Sequence, residues 1–251
     1  MKNQLILVLL FAALGVAALA QGPVEITSEP SHHLVLENAA VRVFAITVNP
    51  GASTLVHRHA HDYIAVTLGD AEILNAKAGA EPVTVTFKDG DTRFSPAGLV
   101  HAVTDKDAQP FRNVTIELLG PTTGEHACTG SCSQSPPCDS ADKAACPSSD
   151  DLLASDQWTV TKVTVPPGSH VPRHTHTGGY LVVPLTNLDF KEQDESGAVT
   201  NVHLGVGEVT WNKPVTHEVT NVGSQPARLV VLQFKGKPAG AAPASSGPKG
   251  K

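Results

Sequence analysis

Pro50-Gly51-Ala-Ser-Thr-Leu-Val-His57-Arg58-His59 and Pro167-Gly168-Ser-His-Val-Pro-Arg-His174-Thr175-His176 are one phrase written twice. In each copy a Pro-Gly turn precedes a His-x-His pair by the same distance, and the copies lie 117 residues apart. Each pair is completed by a later histidine, His101 or His217, at an offset of 116. Alternate residues of a strand point to one face, so His-x-His sends two imidazoles into the same interior. Three imidazoles repeated in register are hard to explain by core packing. They read as two metal sites in a duplicated fold.

The repeat extends beyond the histidines. Val43 matches Val160, Val48 matches Val165, Val66 matches Val183 and Leu68 matches Leu185. Later, Val103 matches Val219, Arg112 matches Arg228, and Asn113–Leu118 overlays Leu229–Phe234. Short Val-rich runs separated by Gly, Pro and Asp turns fill both halves, at 34–48, 55–68, 83–87, 113–119, 160–165, 180–185, 199–204 and 228–234. Strands at this density predict an all-β sandwich or barrel in each half.

The chain's ends read differently. Lys2 followed by the apolar run Leu5–Ala20, with Ala18-Leu19-Ala20 ahead of Gln21, fits an export signal over 1–20. The run is too short to be a good membrane span, so no stable span is expected after cleavage, and the location is periplasmic or secreted. Residues 237–251, rich in Gly, Ala, Pro, Ser and Lys, read as a disordered tail. The net charge is −6, with no basic patch interleaved with aromatics, which argues against nucleic acid as a partner. All four cysteines, Cys128, Cys132, Cys138 and Cys146, fall in 121–156, between the halves. In an oxidising compartment they predict two disulfides of unassigned pairing in a connector loop; a zinc site made of all four is the other reading. The halves themselves span 30–120 and 157–236.

The two halves resemble the cupin superfamily. Its first motif runs Gly, five residues, His-x-His, three or four residues, Glu, then about six residues to Gly; Gly51, His57 and His59 fit. Its second runs Gly, five residues, Pro-x-Gly, two residues, His, three residues, Asn. Gly90, Pro96, Gly98 and His101 fit, with Asp105 at the Asn position. In the second half Gly168, His174, His176, His217 and Asn221 fit, with Gly207 one residue closer to its histidine. The resemblance implies a bicupin: two tandem jelly-roll β-barrels joined by the Cys-containing loop. It also implies a divalent transition metal (Fe, Mn, Zn, Cu or Ni) on His57, His59 and His101, and another on His174, His176 and His217.

Neither half keeps the family's glutamate. Tyr63 and Tyr180, the only tyrosines, stand there instead, again 117 apart. A phenol is a poor ligand, so each reads either as a hydrogen-bond donor to whatever the metal holds or as a filler of the vacated space. His61, of the same strand parity, is a candidate extra ligand; Asp62 becomes one only if a bulge reverses its parity. His32, His33, His126, His170 and His203 lack repeat partners and read as solvated or loop residues.

Neutral imidazoles leave the metal's charge uncancelled, so such a site favours an anionic ligand. The leading expectation is an exported metal-dependent oxidoreductase, dioxygenase-like, acting on a small anionic substrate. A three-histidine iron centre would resemble the superfamily's thiol dioxygenases. The alternatives are a non-catalytic module binding metal, sugar or another ligand, and a scaffold. The sequence leaves a homo-oligomer open.

Overall fold

The computed structural model describes residues 22–120, 122 and 145–236. The export signal, three of the four cysteines and the C-terminal tail lie outside the described residues. No described helix is long and apolar enough to cross a membrane.

The first half is built from β1 (Val24–Glu25), β2 (His32–Glu37), β3 (Val41–Val48), β4 (His57–Arg58), β5 (Tyr63–Thr67), β6 (Ala71–Lys77), β7 (Val83–Phe87), β8 (Thr92–Ser95), β9 (Val100–Asp105) and β10 (Phe111–Leu118). They form two sheets, ordered β1-β4-β9-β6-β7 and β2-β3-β10-β5-β8. The second half uses β11 (Ser148–Ala154), β12 (Trp158–Val165), β13 (His170–His176), β14 (Tyr180–Pro184), β15 (Leu188–Asp194), β16 (Val199–Leu204), β17 (Thr210–Asn212), β18 (Val215–Asn221) and β19 (Ala227–Phe234). Its sheets are ordered β11-β12-β19-β14-β17 and β13-β18-β15-β16. In each half the two sheets face each other as a jelly-roll barrel.

Period-two patterning explains where each strand's side chains go. Along β3, Phe44, Ile46 and Val48 point into the first barrel, whereas Val41 and Val43 point outward. The outward set is not left in water. It joins Ile64, Val66, Val114 and Ile116 in packing against Trp158, Val160, Leu181, Val183, Val230 and Leu232 of the second half. The barrels therefore share one apolar core between their outer faces. Two glycines at matching repeat positions permit the close approach. Gly90 (φ +81) and Gly207 (φ +76) leave no room for a Cβ, which would meet Leu185 Cδ1 at 2.6 Å and Leu68 Cδ1 at 2.7 Å respectively. Arg228 donates to Asp89 across the same seam at 2.7 Å.

Two expectations shift. Strand β11 falls inside the stretch read as connector, 121–156, and pairs with β12 as β2 pairs with β3. The 55–68 run is not one strand: β4 belongs to one sheet and β5 to the other, with a crossing at residues 59–62.

Candidate metal centres

The Pro-Gly turns deliver His57 and His174 onto strands opposite the third histidine of each set. His57 faces His101 across the β4–β9 pair, and His174 faces His217 across β13–β18. His59 and His176 come two residues later on the same face. Ring centroids lie 4.6–5.2 Å apart for His57, His59 and His101. For His174, His176 and His217 they lie 4.7–5.3 Å apart. All six histidines expected from sequence thus come together as two sets.

In the second barrel, two imidazoles are held by Nδ1 hydrogen bonds and the third turns its Nδ1 toward a carboxylate. His174 Nδ1 donates to Pro172 O at 2.9 Å, and His176 Nδ1 to Gln233 Oε1 at 2.9 Å. His217 Nδ1 lies 3.4 Å from Glu192 Oε2. With Nδ1 occupied, the Nε2 lone pairs are the free donors, and the ligand atoms of all three lie within 4.8 Å of one another. Nε2 of His217 is buried without a partner. An orphaned buried nitrogen costs about 1–3 kcal/mol, which a metal ion would offset. The donor set therefore fits a divalent metal.

The first barrel repeats this arrangement with an addition. His57 Nδ1 donates to Leu55 O at 2.9 Å and His101 Nδ1 to Asn75 Oδ1 at 2.9 Å. His59 Nε2 stands 3.2 Å from His101 Nε2, while its Nδ1 and His57 Nε2 are buried without partners. His32 joins His57 and His59, the ligand atoms of these three lying within 4.8 Å of one another, whereas His101 falls outside that group. His32 is not the solvated residue expected from sequence, because its side chain is only 5% exposed. Glu29 holds it, with Oε2 at 2.5 Å from His32 Nδ1. His61, the expected extra ligand, is not in this group; it lies close enough to Glu117 to favour that carboxylate. Asp62 is also turned elsewhere, accepting from Ala97 N at 2.6 Å and from the Thr122 hydroxyl.

Burial sets the charge state of these rings. It lowers His59 to about 2, His101 to about 3 and His32 to about 4, with neighbouring imidazoles pushing the same way. Burial also lowers His176 to about 4, against the opposing bond to Gln233. The rings therefore stay neutral, the form that binds metal.

Each tyrosine stacks on the second histidine of its pair. Tyr63 lies over His59 at 4.0 Å and 19°, and Tyr180 over His176 at 3.9 Å and 16°. Burial raises both phenols, and the Tyr63 side chain is hydrogen-bonded to Ser95. Both rings thus help fix imidazole planes.

The barrels differ most in space. The second encloses a cavity of about 460 Å³ reaching His174, His176 and His217; the first leaves about 40 Å³ beside its histidines. Register explains the contrast. His32 pairs with Ile46, and the matching position is Ser149, which pairs with Val163. Phe44 is matched by Thr161, and Phe111 by Ala227. Three large side chains in the first barrel are small in the second.

Sequence reading also missed the polar residues behind the histidines. Asn75 and Glu192 occupy matching positions, as do Glu117 and Gln233. Their signal was a polar residue repeated in register on an inward-facing strand position.

No protein-family model matches the chain, and no curated protein matches it in sequence. Solved structures do. AerE from Microcystis aeruginosa superposes with a TM-score of 0.55 at 13% identity, over 82% of this chain and 98% of that one. Oxalate decarboxylase from Bacillus subtilis gives 0.54 at 14% identity, over 82% and 75%. The chain has the bicupin fold, two jelly-roll barrels in tandem, each with a histidine cluster able to hold a divalent metal.

Proposed function

We propose that this is an exported metal-dependent oxidoreductase of dioxygenase type, with its reaction site in the second barrel. The observation that carries this is the meeting of three free Nε2 donors with a cavity of about 460 Å³. Three protein ligands leave coordination positions open, and the cavity gives a small molecule access to them.

His174, His176 and His217 would hold the metal through Nε2. When bound, a redox-active ion such as Fe or Mn supplies O2 chemistry as well as Lewis acidity. Gln233 and Glu192 keep His176 and His217 aimed, and Tyr180 fixes the His176 plane. Val163, Phe190, Leu229 and Val231 wall the cavity with apolar surface, whereas Thr159, Thr210 and Asn212 offer polar contacts. This favours a substrate with an anionic or oxygen-donor head toward the histidines and an apolar body. Mn(II) centres are described for the oxalate decarboxylase neighbour, so Mn belongs among the metals to be tried.

The test is metal analysis of the full chain, followed by O2-consumption assays of the Fe- and Mn-loaded protein. Thiols, organic acids and diketones would be screened. Expected is consumption that His174→Ala abolishes. No consumption with any substrate, at full metal loading, would refute the reading.

A further inference from the structure

The two histidine clusters are built for different tasks. We propose that the first barrel holds a closed metal site of four imidazoles, His32, His57, His59 and His101, whose metal fastens the N-terminal segment 24–37 to the barrel. The proposal shares with the function above only the premise that these clusters take metal. It does not need the second barrel to be catalytic.

His32 sits at the first position of β2, at the edge of its sheet and outside the duplicated motif. Its ring centroid lies 4.7 Å from His57 and 6.2 Å from His59. Glu29, 3% exposed, is itself held by Leu55 N at 3.0 Å and Ser31 N at 2.8 Å. A fixed carboxylate thus holds Nδ1 of His32, leaving Nε2 as its free donor. This is the carboxylate–histidine pairing that aims a ligand and raises its basicity. Leu55 also receives the His57 Nδ1 bond on its carbonyl, so Glu29 and residue 55 orient two of the four rings together.

The ligand atoms of His32, His57 and His59 already lie within 4.8 Å of one another; His101 lies outside that group and would join it beside His59. Two nitrogens bound tetrahedrally at about 2.05 Å stand about 3.3 Å apart; His59 Nε2 and His101 Nε2 stand at 3.2 Å. His57 Nε2, buried without a partner, would gain one. The remaining space of about 40 Å³ suits an ion and no organic substrate. In the second barrel Ser149 at the same register leaves the cavity open, the space that the His32 ring fills in the first. A structural site is closed by protein ligands, whereas a catalytic one keeps an open position.

The experiment uses the full chain carrying His174→Ala and His176→Ala, which silences the second cluster, and Co(II) as probe. Expected is one Co(II) per chain with the intense visible bands of a four-coordinate ion, unchanged by azide. Adding His32→Ala should weaken binding at least about tenfold, dim the bands and make them azide-sensitive. Glu29→Gln should keep the spectrum but weaken binding by about 10- to 100-fold. Amide exchange over residues 24–37 should slow when Co(II) is added. No bound Co(II), an azide-sensitive spectrum before His32 is changed, unaltered binding in His32→Ala, or exchange indifferent to Co(II) would each overturn the proposal. Should His32→Ala not fold, the azide response of the parent decides. Because the second cluster is absent throughout, failure here leaves the catalytic reading standing, and its failure leaves this one.

Discussion

The shared core makes the two barrels one cooperative unit, and Ile64→Ala tests this from a distance. Ile64 belongs to the first barrel, is fully buried, and points outward into the core joining the halves. Truncation removes three carbons where eight buried side chains from each half interlock. Such a change costs about 3 kcal/mol, within the usual range for buried aliphatic side chains. For a chain of this size the urea dependence is about 3 kcal/mol per M, so the midpoint should fall by about 1 M. The readout is tryptophan fluorescence, because both tryptophans, Trp158 and Trp211, belong to the second half. A first-barrel substitution should therefore move a second-barrel signal, and far-UV circular dichroism should move with it in a single transition. If fluorescence kept its midpoint while circular dichroism split into two steps, the barrels would be independent and the reasoning refuted.

Gly90→Ala and Gly207→Ala should each destabilise the fold by about 1–3 kcal/mol, because each adds a Cβ at positive φ against a leucine of the other half; thermal melts would check this, and an unchanged Tm would count against the seam. Metal-free protein should lose stability on acidification. Unfolded imidazoles take up protons below the ordinary value of 6.5, whereas His32 and His176 resist until about 4 when folded. The unfolded state thus binds more protons in that window, and stability rises with pH across it, by on the order of 3 kcal/mol for His32; urea midpoints at pH 7, 5.5 and 4.5 would reveal a wrong sign. Ser149→His puts in the second barrel the group that fills the first, so metal should be retained while azide no longer perturbs a Co(II) spectrum there. Glu192→Gln should weaken metal binding in the second barrel by about 10- to 100-fold, measured by competition with a chelator in a His57→Ala background that silences the first.

Duplication made the six candidate ligands legible, since a chance histidine rarely recurs at one offset with its turn and its tyrosine. It also hid what is not duplicated. His32 has Ser149 as its counterpart, so comparing the halves marked it as background, and only the β2–β3 register brings it beside His57. The tyrosines do lie against their histidines, but the sequence argument for that contact was insufficient. Strand parity assumed one continuous strand from His57 to Tyr63, whereas the chain crosses between sheets there, and stacking restores the contact. The outward apolar face was invisible for another reason. Period-two patterning says that Val41 and Val43 share a side, but cannot say whether that side meets water or a second barrel.

What duplication preserved and what it exchanged together argue for divided labour. Behind His101 stands the amide of Asn75, and behind His217 the carboxylate of Glu192. On the strand carrying the other supporting position the order reverses, with Glu117 in the first barrel and Gln233 in the second. Each barrel thus keeps one amide and one carboxylate, in exchanged places. Gln233 reaches His176, whereas Glu117 is drawn to Arg42 at 3.3 Å, leaving its other oxygen and His59 Nδ1 without partners. Burial pushes the Glu117 carboxyl up, so it is a group under strain of desolvation in the closed barrel. In the open barrel the carboxylate faces His217 instead. The first barrel instead sets a carboxylate, Glu29, behind its unduplicated histidine, His32, whose ring fills the space that Ser149 leaves open in the second. The exchange of these few side chains accounts for how one duplicated scaffold yields two unlike sites.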